Sequence, residues 1–137
     1  MLFEKCNKMF GEYKYVIFRL VIGFLFFSHG AQKVFGWFGG QAVGSIFSWP
    51  IGYAGIIELI VGLAVLFGLW SRLFAAIGFI EMVIAYLMVH LTKGGSFHPL
   101  QTGGEVALLF AVSFLVIVWI GNGKLSLERT FSKKQTF

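Results

Sequence analysis

The chain has 137 residues, 58% of them hydrophobic and only 12% charged, with a formal net charge of +5 and a mean hydropathy of +0.84. A soluble domain carries roughly half apolar and a quarter charged residues, so this composition excludes an ordinary soluble enzyme and places the chain in a membrane. The positive charge needs no nucleic acid to explain it, because lysines and arginines beside membrane spans face anionic headgroups. A single cysteine, Cys6, excludes an internal disulfide and CxxC exchange chemistry within the chain.

In chain order, residues 1–14 place Leu2, Cys6, Met9 and Tyr13 at helical spacing opposite Glu4, Lys8 and Glu12, the pattern of an amphipathic segment lying in the interface. A basic start ahead of an apolar run also fits a signal peptide; the reading adopted is a retained segment. Four apolar stretches follow, with spans expected at about 15–33, 50–70, 72–91 and 103–121, each near the roughly 17 to 25 residues that cross a bilayer. GWFGGQAVG with Pro50, Ser71-Arg72, and TKGGSFHPLQTGG punctuate them. The short second break forces an antiparallel hairpin. The expected fold is therefore all-α, an integral membrane up-down four-helix bundle over 15–121 with a basic tail at 122–137.

Lysine and arginine stay on the cytoplasmic side of short loops. Lys5, Lys8, Lys14, Arg72, Lys124, Arg129, Lys133 and Lys134 fall on one side of this topology, and Lys33 and Lys93 on the other. Both termini are accordingly expected in the cytoplasm, as in a bacterial-type inner membrane.

Each span also carries ionisable residues, which are costly in hydrocarbon and so pair or serve a function. In the first, with about 100° of turn per residue, Arg19, His29 and Lys33 share a sector about 80° wide. Gly23 and Gly30 lie beside that sector, where a neighbouring helix can approach closely. Glu58, Glu81 and Glu105 bring one carboxylate to each remaining helix. With a rise of about 1.5 Å per residue, His29 stands roughly 21 Å, Glu58 roughly 18 Å and Glu81 roughly 13 Å above the inner ends, and Lys33 and His90 roughly 27 Å. This predicts a polar pocket in the outer half of the bundle, formed by His29, Lys33, Glu58, His90 and Glu105, with Glu58 orienting His29. Nine residues separate Glu81 from His90, which turns them about 180° apart. His90, near the surface, can look outward at little cost, whereas deep Glu81 must find Arg19 or another donor, or stay protonated.

Plainer roles stay open for each of these. Arg19 can snorkel to the inner headgroups, Lys33 can anchor at the outer interface, Glu105 can complement its helix dipole, and His29, Glu58 or Glu81 can pin helices together. His29, His90 and His98 form no local metal motif such as HExxH, and the estimated depths of His29 and His90 disfavour a shared haem.

The stretch RLVIGFLFFSHGAQKVFGWFGG resembles the first helix and following loop of the DoxX family, small four-helix membrane proteins. The likeness continues in GIIELIVGLAVLFGLWSRLFA, in VHLTKGG and in GGEVALL, from about Arg19 to Leu127. The link from GWFGG to the second helix is shorter than the family usually has. The resemblance implies a role tied to redox chemistry, as a membrane subunit in thiosulfate to quinone electron transfer or as an assembly helper, and it marks His29, Lys33, Glu58, Arg72 and Glu105 as the recurrent polar positions, with Arg72 at the helix hairpin.

Together these readings lead to an expected pocket for a quinone-like or sulfur-containing small molecule, His29 and Lys33 donating to its oxygens and Glu58 accepting a proton. The chain would work with a bound quinone or a redox partner protein, and a homo-oligomer could supply the further helices that transport would need. The alternatives are a non-catalytic assembly or scaffold subunit and a small-solute or proton carrier.

Overall fold

A computed structural model describes residues 1–94 and 96–132. Lys133 and Lys134, and the side chains of Met9, Glu12 and Lys93, which entered the charge and amphipathic patterns above, lie outside the described residues. The described residues are helical, without strands: α1 Leu2–Phe35, α2 Ile51–Phe67, α3 Ser71–Ala85, a π-helical turn Tyr86–His90 that leads into α4 Leu91–Gly94, α5 Pro99–Thr102, α6 Glu105–Ile120 and α7 Leu127–Ser132.

Two of these helices are long and apolar enough to cross a membrane, Tyr13–Phe35 with 23 residues and Ser71–His90 with 20. α2 and α6 are equally apolar but shorter, with 17 and 16 residues. Residues 1–14, expected to stand apart from the first span, are instead the first part of α1, which runs uninterrupted for 34 residues. Its early residues are mostly good helix formers, and the change from polar to apolar composition alters what the helix can face without interrupting it.

The helices stop where the sequence places glycine. Gly36 and Gly68 both adopt left-handed backbone at φ 70°, and the residues after them, Trp37 and Leu69, donate back to Ala31 and Ala64, so the last carbonyls of α1 and α2 are satisfied by the loop. Only three residues then separate α2 from α3, which folds them into a hairpin.

α1 and α2 pack antiparallel along a seam of small residues. A Cβ added at Gly23 would lie 2.5 Å from the backbone nitrogen of Leu66, and one at Gly30 2.6 Å from that of Leu59; at both points the two backbones touch. α3 and α6 form the second antiparallel pair, with Gly78 against the ring of Phe114. Between the pairs lies a core of Phe26, Val61, Val65, Ala75, Met82, Ala107, Phe110, Ala111, Phe114 and Ile117. Phe26 meets Phe114 edge-on at 4.7 Å and Phe110 at 5.1 Å, an arrangement aromatic rings favour. Outward-facing positions on all four of these helices are also large and apolar, among them Phe24, Leu63, Ile80, Leu109 and Trp119. An apolar perimeter of this extent belongs against lipid.

The seam gives a direct test. Gly23→Ala is expected to cost about 1 to 3 kcal/mol, since its methyl group must push two backbones apart. Gly11→Ala, with nothing within 4 Å, is expected to be neutral or mildly stabilising. Equal unfolding midpoints for the two variants in mixed SDS–detergent micelles would contradict the close approach.

Candidate functional site

The cavity in the upper part of the bundle is built by one face of each long helix. Phe26, His29 and Lys33 follow one another at spacings of three and four residues on α1, so they share a face. α2 brings Glu58 from between its packed glycines, α3 with its π turn brings Met82, Ala85 and His90, and α6 with the residue before its cap brings Gly103, Val106, Ala107 and Phe110. These residues enclose about 210 Å³. Ligand sites of drug size run from roughly 300 to 1,000 Å³, so this one fits a single ring or a molecule of similar bulk.

Its polar groups are few and positioned. Lys33 Nζ donates to Glu58 Oε1 at 2.6 Å, the lysine 32% exposed and the glutamate 3%. Glu58 Oε2 is buried without a hydrogen-bond partner among the described residues. His29 stands perpendicular to Phe110, ring centres 5.5 Å apart, and the carbonyl of Thr102 lies 2.9 Å from His90 Nδ1. A mostly apolar cavity with a few fixed donors and acceptors is what a small organic molecule requires.

Four of the expected residues, His29, Lys33, Glu58 and His90, therefore come together. The internal arrangement differs from the expected one. Glu58 engages Lys33 rather than His29, because the lysine stem reaches down from one turn higher on α1. His90 lines the cavity from the end of the π turn, which winds more slowly than an α-helix.

Glu105 is not part of the cluster. It is the first residue of α6 and exposed, while Ala107 and Phe110 take the buried positions beside the cavity; its position suits the positive end of the helix. Arg72, exposed at the start of α3, reaches the Trp119 carbonyl at the end of α6 at 3.5 Å, so it bridges α3 and α6 rather than the α2–α3 hairpin.

Arg19 and Glu81 do not pair. The two carboxylate oxygens of Glu81 are buried with no hydrogen-bond partner among the described residues, within electrostatic reach of Glu58 and Lys33. Arg19, only 2% exposed, lies at the opposite end and donates to the backbone carbonyls of Asn122 and Leu125. Tyr15 donates to the Gly121 carbonyl beside it.

That end holds a second polar centre, at residues that sequence reasoning assigned to a basic tail. Asn122 Oδ1 accepts from the backbone nitrogen of Ser71 at 2.9 Å, and Asn122 Nδ2 donates to Glu128. Asn122, Ser126 and Glu128 are all buried. Within the tail the pattern GNGKLSLE was the available signal: glycines on both sides of an asparagine and a lone glutamate among basic residues. Around the cavity, Tyr86, Thr102 and Phe110 were also missed, the first two because their role depends on the π turn.

Residues 15–91 match the family model described as DoxX. An uncharacterized protein of Haemophilus influenzae is 35% identical over 121 residues, covering 85% of this chain and 89% of the relative. An uncharacterized membrane protein of Mycobacterium tuberculosis is 28% identical over 138 aligned positions, covering 88% of this chain and 83% of the relative. No solved structure matches the chain. The family match takes in His29, Lys33, Glu58 and His90 and ends before the α6 wall of the cavity.

Proposed function

The chain belongs to the DoxX family, and on that premise we propose that it is a four-helix integral protein of a bacterial-type inner membrane that binds a small quinone-like or sulfur-containing molecule between its helices. The apolar perimeter supports the membrane setting. Lys14, Arg72, Lys124 and Arg129 lie toward the end of the bundle where α2 gives way to α3, and Lys33 lies toward the other; this bias supports cytoplasmic termini. An open groove lined by Tyr13, Lys124, Leu125 and Arg129 at the basic end suits anionic headgroups.

The observation that carries the ligand reading is the ion pair of Lys33 with a buried Glu58 on the wall of an apolar cavity that two histidines also line. Lys33 and His29 can direct hydrogen to an oxygen or sulfur of the ligand, and Glu58 can take up a proton. Electrons enter with the ligand or from a redox partner protein.

The test is titration of the full chain in lipid nanodiscs with ubiquinone-1, its hydroquinone and thiosulfate, read by calorimetry. Saturable binding of one of these is expected, weakened about tenfold or more by His29→Ala and by Glu58→Gln, as befits a lost charge-assisted hydrogen bond. Binding of none of the three, or binding indifferent to both variants, would favour an assembly subunit whose buried charges only fix helix pairing.

A further inference from the structure

His90 owes its place to an irregularity. It ends the π-helical turn Tyr86–His90, and such turns inside α-helices recur at functional sites. Two contacts hold this turn against the segment that leads into α6. The Tyr86 hydroxyl donates to the Phe97 carbonyl at 2.7 Å, and His90 Nδ1 meets the Thr102 carbonyl at 2.9 Å. A Cβ at Gly104 would stand 2.6 Å from the Tyr86 ring and 3.1 Å from His90 Cβ, so the backbone there closes directly onto both side chains. The imidazole is thereby fixed in position.

Its chemistry follows from its partner. A carbonyl oxygen has no hydrogen to give, so the hydrogen of this contact sits on Nδ1. In a neutral imidazole one ring nitrogen donates and the other accepts, which leaves Nε2 as a lone-pair acceptor on a residue that lines the cavity. No protein donor to Nε2 is found among the described residues. Glu58 Oε2, on a nearly fully buried residue that lines the same cavity, is a second acceptor without a protein donor among those residues. Lys33 is partly exposed and already shares one hydrogen with Glu58 Oε1.

We propose that His90 is the specificity-determining residue of this cavity, its Nε2 accepting a hydrogen from the ligand, so that the cavity selects the hydrogen-bearing member of a redox couple: a hydroquinone hydroxyl over a quinone carbonyl, or a thiol over a disulfide. The selectivity rests on the ligand reading given above, whereas the position of the imidazole hydrogen does not depend on any ligand. The hydroxyl or thiol is the shared chemistry. A quinone carbonyl, which only accepts, leaves both half-buried Nε2 and buried Glu58 Oε2 without a donor from the ligand, and an acceptor left unmet on binding weakens it.

Nitrogen-15 NMR of the full chain in nanodiscs, labelled at histidine, tests the first part, with the His90 signals identified by their absence in His90→Asn. A hydrogen on Nδ1 and a bare Nε2 are expected; a hydrogen on Nε2, or on both nitrogens, overturns the proposal. Anaerobic titration with ubiquinone-1 and its hydroquinone tests the second. The hydroquinone is expected to bind about tenfold more tightly, the scale of one hydrogen bond. His90→Asn, whose amide can still donate to Thr102, is expected to abolish the difference. Equal affinities in the native chain, or a preference that survives His90→Asn, defeat the selectivity and leave the ligand reading standing. Failure of both forms and of thiosulfate to bind defeats the ligand reading and the selectivity with it.

Discussion

Lys33→Met is expected to destabilise the protein by about 3 kcal/mol, the lower end of what removing one partner of a buried ion pair costs. The asymmetry of the pair makes the result diagnostic. Glu58 is 3% exposed, whereas Lys33 is 32% exposed at the cavity mouth. Without the ammonium, the carboxylate is left in a poorly hydrated interior between α1 and α2. The reverse change, Glu58→Gln, keeps an oxygen for Lys33 to donate to and leaves a lysine that solvent or headgroups can reach; about 1 kcal/mol is expected. Because the Lys33→Met penalty is the cost of an orphaned charge, Lys33→Met with Glu58→Gln together should recover most of the loss. The measurement is reversible unfolding of all four proteins in mixed SDS–detergent micelles. A double variant no more stable than Lys33→Met would show that the two groups are not coupled.

Arg19→Leu is expected to have an effect of similar size at the other end of the molecule, about 3 kcal/mol. The guanidinium serves the carbonyls of Asn122 and Leu125, and each buried acceptor left unmet costs roughly 1 to 3 kcal/mol. Arg19→Lys should recover only part of this, since an ammonium on a flexible stem does not reproduce a planar fork aimed at two carbonyls. The local consequence is the more specific one. Residues 121–132 should lose hydrogen-exchange protection in Arg19→Leu before the helices do, as the segment comes away from Ser71 and Gly68. Unchanged protection there would mean that the arginine does not anchor it.

Much of the arrangement could be read from residue spacing, and what could not has identifiable physical causes. Apolar stretches and glycine stops announced the four long helices, and the shared sector of His29 and Lys33 with Glu58 at a similar estimated depth pointed to residues that the structure brings together. The partner choice inside it was misjudged because backbone depth ignores side-chain length: Lys33 is rooted a turn above Glu58 and still reaches it at 2.6 Å. Glu81 was expected to find Arg19 or another donor, or to stay protonated, and Arg19 is held instead by carbonyls more than a hundred residues away in sequence. No local pattern around Arg19 or around Asn122 records that contact. Likewise Lys124 and Arg129 gave the C-terminal residues the look of a solvated tail, although their neighbours Asn122, Ser126 and Glu128 are buried.

The winding at Tyr86–His90 makes this wall of the cavity depend on a residue count as much as on residue identity. Deleting one residue from this turn would let α3 continue in ordinary α-helical register, rotate His90 off Thr102, and shift the loop that follows. Aligned relatives that keep the histidine but carry a gap just before it would thus share a letter in the alignment without sharing its geometry, and spacing to the next helix is the better guide to which of them close their cavities in the same way.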